Sequence, residues 1–255
     1  MKKIFIVIIC LLNGNMLIAQ HARFITSGSI EFEKTINMYA VKRQEMGPEA
    51  DASDLQAYDQ YKNTNPQFKK LTSTLIFGDN KTLYTPVPSP DNILTYGKEV
   101  MGMQFNTVYN DLNTNMSTIQ KEVYGTFFLL KDTTRKIKWK VTDETRVIAG
   151  YNCRRANGII LDSVYVVAFY SDKIWVGAGP ESFNGLPGMI LGVALPHENV
   201  TWYATKVTDM TITPTSLQPP KKGKVVNSVE MQEAIRKANN ATKPIFFYRR
   251  KVFML

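Results

Sequence analysis

Short runs in which apolar and polar residues alternate recur along this 255-residue chain, each closed by turn formers. Period-2 alternation is the pattern of a strand with one buried face, and it constrains the fold more than any other feature. The first run covers residues 29–39, marked by Ile30, Phe32, Thr35, Ile36 and Met38. Residues 72–77 and 82–85 flank Gly78-Asp79-Asn80-Lys81, a hairpin turn. Residues 104–109 and 116–123 flank an Asn/Asp-rich turn, and 126–130, 136–141, 145–148, 164–170 and 201–207 continue the series. Strands this short, at meander spacing, predict a mainly β chain. The expected fold is a curved antiparallel sheet, an open or half β-barrel whose curl protects its edges, with one or two short helices.

Three stretches depart from the pattern. Residues 42–70 are polar, contain Gly47-Pro48, and hold a short helix after the cap-like Ser53, with Leu55, Tyr58 and Tyr61 on one face. They read as an insertion within one domain spanning 20–255. Pro86, Pro88 and Pro90 make a loop, and Pro214, Pro219 and Pro220 mark a break. Beyond that break, 229–239 reads as a helix with Val229, Ala234, Ile235 and Ala238 near one face, and 246–255 as a final strand or tail. Lys138-Trp139-Lys140 reads as strand, charges outward and aromatic inward.

The first nineteen residues have a basic start (Lys2, Lys3), an apolar stretch over 4–12 and a small Ala19 before Gln20, the layout of a secretory signal peptide. The apolar part is short of the roughly 20 residues of a membrane helix, and no later segment reaches that length. Cys10 sits inside the apolar region rather than at its end, against a lipid-modified cysteine. With the signal removed, Cys153 is the only thiol, so no intramolecular disulfide is available and the fold must rest on its core. Tyr151-Asn152-Cys153 reads as strand, which favours a buried, inert Cys153 over a reactive one.

Charge is unevenly placed. The chain holds 31 basic and 22 acidic residues, and 221–255 alone holds nine basic against two acidic. The patch comprises Lys221, Lys222, Lys224, Arg249, Arg250 and Lys251. It suits an anionic membrane surface, a lipid headgroup or an acidic partner, or simply keeps the segment solvated. Nucleic acid is not an expected partner, since no recognition motif is present.

Catalytic chemistry finds little support. Past the signal only His21 and His197 remain, and neither sits where a nucleophile's base would be held by a third group. No spacing of His, Cys or carboxylates suggests a metal site. Met101-Gly-Met103 and a new terminus beginning Gln20-His21 are weak copper motifs, more simply read as core filler and a loose end. No catalytic residue, metal or cofactor is therefore expected, although a pair of carboxylates brought together by the fold is invisible in sequence.

The segment 179–191, Gly-Pro-Glu-Ser-Phe-Asn-Gly-Leu-Pro-Gly-Met-Ile-Leu, gathers turn formers against an apolar run. A phosphate loop needs a Lys and Ser/Thr after its last glycine and a dinucleotide fingerprint must open a helix. Neither follows here. Leu186-Pro187-Gly188-Met189 instead reads as a type II turn feeding a buried strand.

Those residues, Gly179-Pro180, Phe183 and Gly185-Leu186-Pro187-Gly188-Met189-Ile190-Leu191, resemble the signature of the GLPGLI family of exported Bacteroidota proteins. Ile148-Ala149-Gly150-Tyr151-Asn152-Cys153 with Arg155-Ala156, and the aromatic strand 164–170 leading to Ile174, extend the resemblance over roughly residues 137 to 207. Met189 stands where the family has leucine, and Val176-Gly177 where proline is usual. The resemblance implies an envelope protein of unknown function, periplasmic or at the periplasmic face of the outer membrane. Such proteins often accompany outer-membrane receptor systems, and the resemblance supplies no catalytic residues. The leading expectation is a non-enzymatic binding or accessory protein whose partner is an outer-membrane protein, a lipid or a peptide, with an apolar groove near Trp139, Phe169 and Trp175. The alternatives are a lipid or lipoprotein carrier, a hydrolase using Cys153 or paired carboxylates, and a scaffold docking through 221–255.

Overall fold

The computed structural model describes residues 24–88, 101–238 and 252–255. The expected signal at 1–19, His21, Pro90, and Arg249, Arg250 and Lys251 of the basic patch lie outside them. Twelve strands form one curved, unclosed sheet: β1 (Gly28–Asn37), β2 (Phe68–Gly78), β3 (Lys81–Pro86), β4 (Thr107–Asp111), β5 (Met116–Val123), β6 (Thr126–Thr133), β7 (Lys140–Ile148), β8 (Tyr151–Ile160), β9 (Val164–Ser171), β10 (Met189–Leu195), β11 (Val200–Asp209) and β12 (Lys224–Val226). The order is β12-β6-β5-β4-β3-β2-β1-β11-β10-β9-β8-β7. Two antiparallel meanders thus flank a central β1, which pairs with β2 on one side and β11 on the other. Only β12 is parallel to its neighbour, β6. Curling brings β7 back toward β11, where Arg146 Nη1 donates to Tyr203 Oη at 2.8 Å.

The alternation holds strand by strand. In β1 the inward positions are Ile30, Phe32, Lys34 and Ile36, and in β5 they are Ser117, Ile119, Lys121 and Val123. The hairpin at 78–81 is as expected, with Asp79 and Asn80 at φ 52° and 53°, the left-handed pair of a type I′ turn.

Among the described residues three α-helices are found where one or two were expected. The first strand ends at Asn37 rather than reaching Tyr39, because the Asn37 side chain accepts from Ala40 N at 3.2 Å and opens α1 (Met38–Met46). The second, α2 (Ala52–Thr64), is capped by Asp51 and not Ser53. Asp51 Oδ1 accepts from Ser53 N and Asp54 N, and Asp54 answers to Asp51 N, a reciprocal box that no residue at 53 would complete. In α3 (Ser228–Ala238) Ile235 is buried and Ala234 packs partly buried against the core, as expected, but Met231 joins them there and Val229 is exposed. The expected strands 136–141 and 145–148 merge into one bulged β7 starting at Lys140. Residues 252–255, expected within a final strand or tail, are not strand; Val252, Phe253 and Leu255 are buried. Among the described residues no helix is long and apolar enough to cross a membrane.

Candidate functional site

The loop between β9 and β10 folds over the inner face of the sheet. Ile25 forms a bridge with Ile174, Ala178 pairs with Asn184, and Gly185 N donates to Gly177 O at 2.9 Å. Every residue from Gly179 to Asn184 is buried, the polar Glu181, Ser182 and Asn184 included. Phe183 meets Trp202 edge-on at 5.9 Å. The expected type II turn is replaced by a tighter one: Gly188 N donates to Leu186 O at 2.8 Å, while Met189 N is taken by Ile174 O at 3.0 Å. That three-residue turn is a γ-type bend at Pro187. The segment is therefore a plug in the concave face, built from the turn residues named above.

Glu181 is the polar centre of the plug. Fully buried and held at φ 51°, it takes Lys34 Nζ at 2.9 Å on one carboxylate oxygen and Asn106 Nδ2 at 3.1 Å on the other. Lys34 also donates to Gln104 O at 2.8 Å and lies 5.1 Å from the Trp202 ring centroid. Burial, then the charge of Glu181, pushes the Tyr84 hydroxyl well above its usual range. Around it, Ser73 Oγ, Asn106 Oδ1, Asn110 Oδ1 and Trp202 Nε1 find no hydrogen-bond partner among the described residues. This half of the inner face thus sets buried polar groups among apolar ones such as Phe32, Ile36 and Leu75.

A second cation stands nearby. Lys121, 1% exposed, donates to Phe253 O at 2.7 Å and Leu255 O at 2.8 Å. The partly buried Arg135 donates to Ser182 Oγ at 3.0 Å and to Met254 O at 2.5 Å. Against Arg135 and Met254 opens a cleft of about 380 Å³ lined by Ile119, Leu130, Arg135, Ser182, Gln232 and Met254, among others. A separate cleft of about 450 Å³ lies where β3 ends and β4 and β6 begin, walled by Pro86, Phe105, Thr107, Gln120, Lys121 and Phe127.

Burial pulls the Lys121 amine down from 10.5 to about 7, the charge of Glu181 opposing that shift and the charge of Arg135 adding to it. Between those two values the unfolded chain carries a proton that the folded chain has released. Stability therefore rises with pH across that window, by at most about 1.4 kcal/mol per unit, and the slope vanishes below it. Urea unfolding in steps from neutral to alkaline pH checks this. Lys121→Met is expected to lack the slope, and equal slopes in both proteins would refute the assignment.

The residues singled out in sequence are not gathered in one place. Trp139 precedes β7 instead of lying in a strand, and its Nε1 donates to Asn184 O at 2.9 Å, bracing the plug. Its ring covers Gly158, whose register partner is Val166, on the inner face. Phe169 pairs with Arg155 and so points to the other face, where the Arg146 guanidinium covers it at 5.4 Å. Trp175 is 61% exposed and stacks on Phe24 at 4.6 Å. Trp139, Phe169 and Trp175 thus have three separate surroundings, and none lines either cleft. Lys221, Lys222 and Lys224 are exposed, with Lys222 3.4 Å from the centroid of the Phe127 ring.

Cys153 is fully buried, its thiol pushed up to about 11 by desolvation and bonded to Tyr151 O at 3.4 Å. His197 sits on an exposed turn after β10. Met103 is buried, and among the described residues no group of three or more His, Cys, Asp or Glu is placed to hold a metal.

Sequence reading passed over Lys34, Lys121 and Glu181. The signal was present for both lysines, which occupy inward places in otherwise clean alternations, Ile30-x-Phe32-x-Lys34-x-Ile36 and Ser117-x-Ile119-x-Lys121-x-Val123.

Fold and site together define an open, curved antiparallel sheet whose concave face is plugged by a polar loop. In sequence, residues 159–192 match a family described as "Protein of unknown function (Porph_ging)". No curated protein matches the chain. Among solved structures the chain is similar to PNGF-II, in a C2 crystal form at 15% identity and TM-score 0.53, and in a P21 form at 16% identity and TM-score 0.52. Each likeness covers 84% of this chain, which spans about a third of the PNGF-II chain (33% and 34%). At that identity the likeness is one of fold alone.

Proposed function

We propose that this is an exported, non-enzymatic binding or accessory protein of the GLPGLI type. It works in the periplasm or at the periplasmic face of the outer membrane, serving a receptor or transport system. The signal-like leader supports export. The match over 159–192 to a family of unknown function overlaps the segment 179–191 that carries the resemblance. One observation carries the binding role: a cleft of about 380 Å³ on the inner face, bounded by the plug and by Arg135. Its lining mixes Ile119 and Leu130 with Asp132, Ser182 and Ser228, a surface for hydrogen-bonding ligands more than for acyl chains. This weighs a peptide or protein segment above the lipid-carrier reading. The burial of Cys153 weighs against thiol hydrolysis.

Native mass spectrometry of the protein recovered from its own cell envelope tests the reading. A reproducible bound peptide or protein is the expected result, and repeated recovery of ligand-free protein would overturn it.

A further inference from the structure

The cleft of about 450 Å³ at the rim where β3 ends and β4 and β6 begin has no part in the binding role proposed above. Strand register places its walls. Ser117, Ile119, Lys121 and Val123 point inward on β5, so Gln120 and Glu122 point to the outer face. Thr107 pairs with Gln120, and Phe127 with Glu122, and paired residues of antiparallel strands share a face. Gln104, 6% exposed, and the half-buried Phe105 close the cleft from the segment before β4. Two aromatic rings thus stand among the side chains of Gln104, Thr107, Gln120 and Glu122. None of these four side chains makes a hydrogen bond or ion pair among the described residues; Gln104 uses only its main-chain oxygen, on Lys34. Polar groups at such depth are ordinarily bonded, and a set left open beside ring faces suits a ligand that brings its own hydrogen bonds.

The nearest charges cancel. Glu122 stands beside Phe127, whose ring Lys222 approaches to 3.4 Å without lining the cleft. Lys34, 5.9 Å from the Phe105 ring centroid, is paired with Glu181 at 2.9 Å. Lys121 borders the cleft, but it is 1% exposed and its amine is turned on Phe253 O and Leu255 O. Neither an anion nor a cation is therefore favoured, and a neutral ligand is. A pyranose ring has the matching chemistry: hydroxyls that both donate and accept meet the amides, the Thr107 hydroxyl and the carboxylate, and a face of C–H bonds packs on the negative face of an aromatic ring.

We propose that this rim cleft is a carbohydrate-binding site for a neutral oligosaccharide. Phe105 and Phe127 are its stacking surfaces, and Gln104, Thr107, Gln120 and Glu122 bond to the sugar hydroxyls. The site is separate from the cleft beside Arg135 and does not depend on what fills that one.

The probe is a printed array of neutral, sulfated and amino-sugar oligosaccharides, to which the full chain is applied. Retention on neutral members, above that on charged ones, is the expected result. The neutral member held best is then titrated by calorimetry. Gln120→Ala and Phe127→Ala are each expected to weaken its binding at least ten-fold, and Gln232→Ala, in the other cleft, to leave it unchanged. Urea midpoints check that the variants are folded; if Phe127→Ala is not, Gln120→Ala, which removes only a half-exposed side chain, decides. No retention on any neutral member, equal retention on charged ones, or a folded Gln120→Ala that binds as well as the unaltered protein would each overturn the proposal.

Discussion

Replacing Gly188 with valine is expected to destabilise the protein by about 2–5 kcal/mol, the cost of a strained φ added to that of overpacking. Gly188 stands at φ 148°, and a Cβ there would lie 2.2 Å from Ser171 O and 3.0 Å from the Asp172 Cα. Both obstacles are main chain and cannot swing aside, so Gly188→Ala should fall in the same range. Gly47 provides the contrast: its φ is 72° but nothing lies within 4 Å of its Cβ position. Gly47→Ala should cost only the backbone strain, on the order of 1 kcal/mol. Urea midpoints of the three variants decide it. If Gly188→Ala were as mild as Gly47→Ala, the close approach of the plug to β9 would be refuted.

The second large effect concerns the ion pair beneath the plug. Lys34→Met strands Glu181 in a site with no exposure, and removing one partner of a buried pair costs about 3–5 kcal/mol. Removing both charges is far milder, because Glu181→Gln leaves a neutral side chain that Asn106 can still meet. The double variant Lys34→Met/Glu181→Gln is therefore expected to be more stable than Lys34→Met alone, by at least about 1 kcal/mol of coupling. A single variant losing less than about 1 kcal/mol, or a double variant simply adding the two losses, would show that the pair does not hold the plug.

Much of the sheet was legible in the sequence because a half-buried strand writes its geometry in a period of two. β5 and the hairpin at 78–81 follow that rule directly. The misreadings have local causes. Asn37 and Asp51 act as helix caps, and a cap is decided by which backbone N–H its short side chain reaches, something Ser53 could equally have claimed in one dimension. Trp139 was read as an inward strand residue. It does reach the inner face, but from a connecting segment whose course is set by the Asn184 carbonyl far away in sequence. Phe169 and Trp139 were joined in one groove because hydropathy carries no record of which face a residue lies on until register is known.

By itself, then, the sequence determined the class of the molecule, since alternation and turn residues leave a curved antiparallel sheet with an apolar core as the solution. It also marked 179–191 as a turn-rich segment ahead of a buried strand. Tertiary structure alone decided what that segment does. Lys34, Glu181, Lys121, Arg135 and residues 252–255 are separated by up to 147 positions in the pairs that bond, and no local pattern ties a charge to a partner so distant. Only the curling of the sheet brings those charges together, and there Lys34 and Lys121, which would be ordinary solvated side chains on the outer face, are buried against distant hydrogen-bond partners.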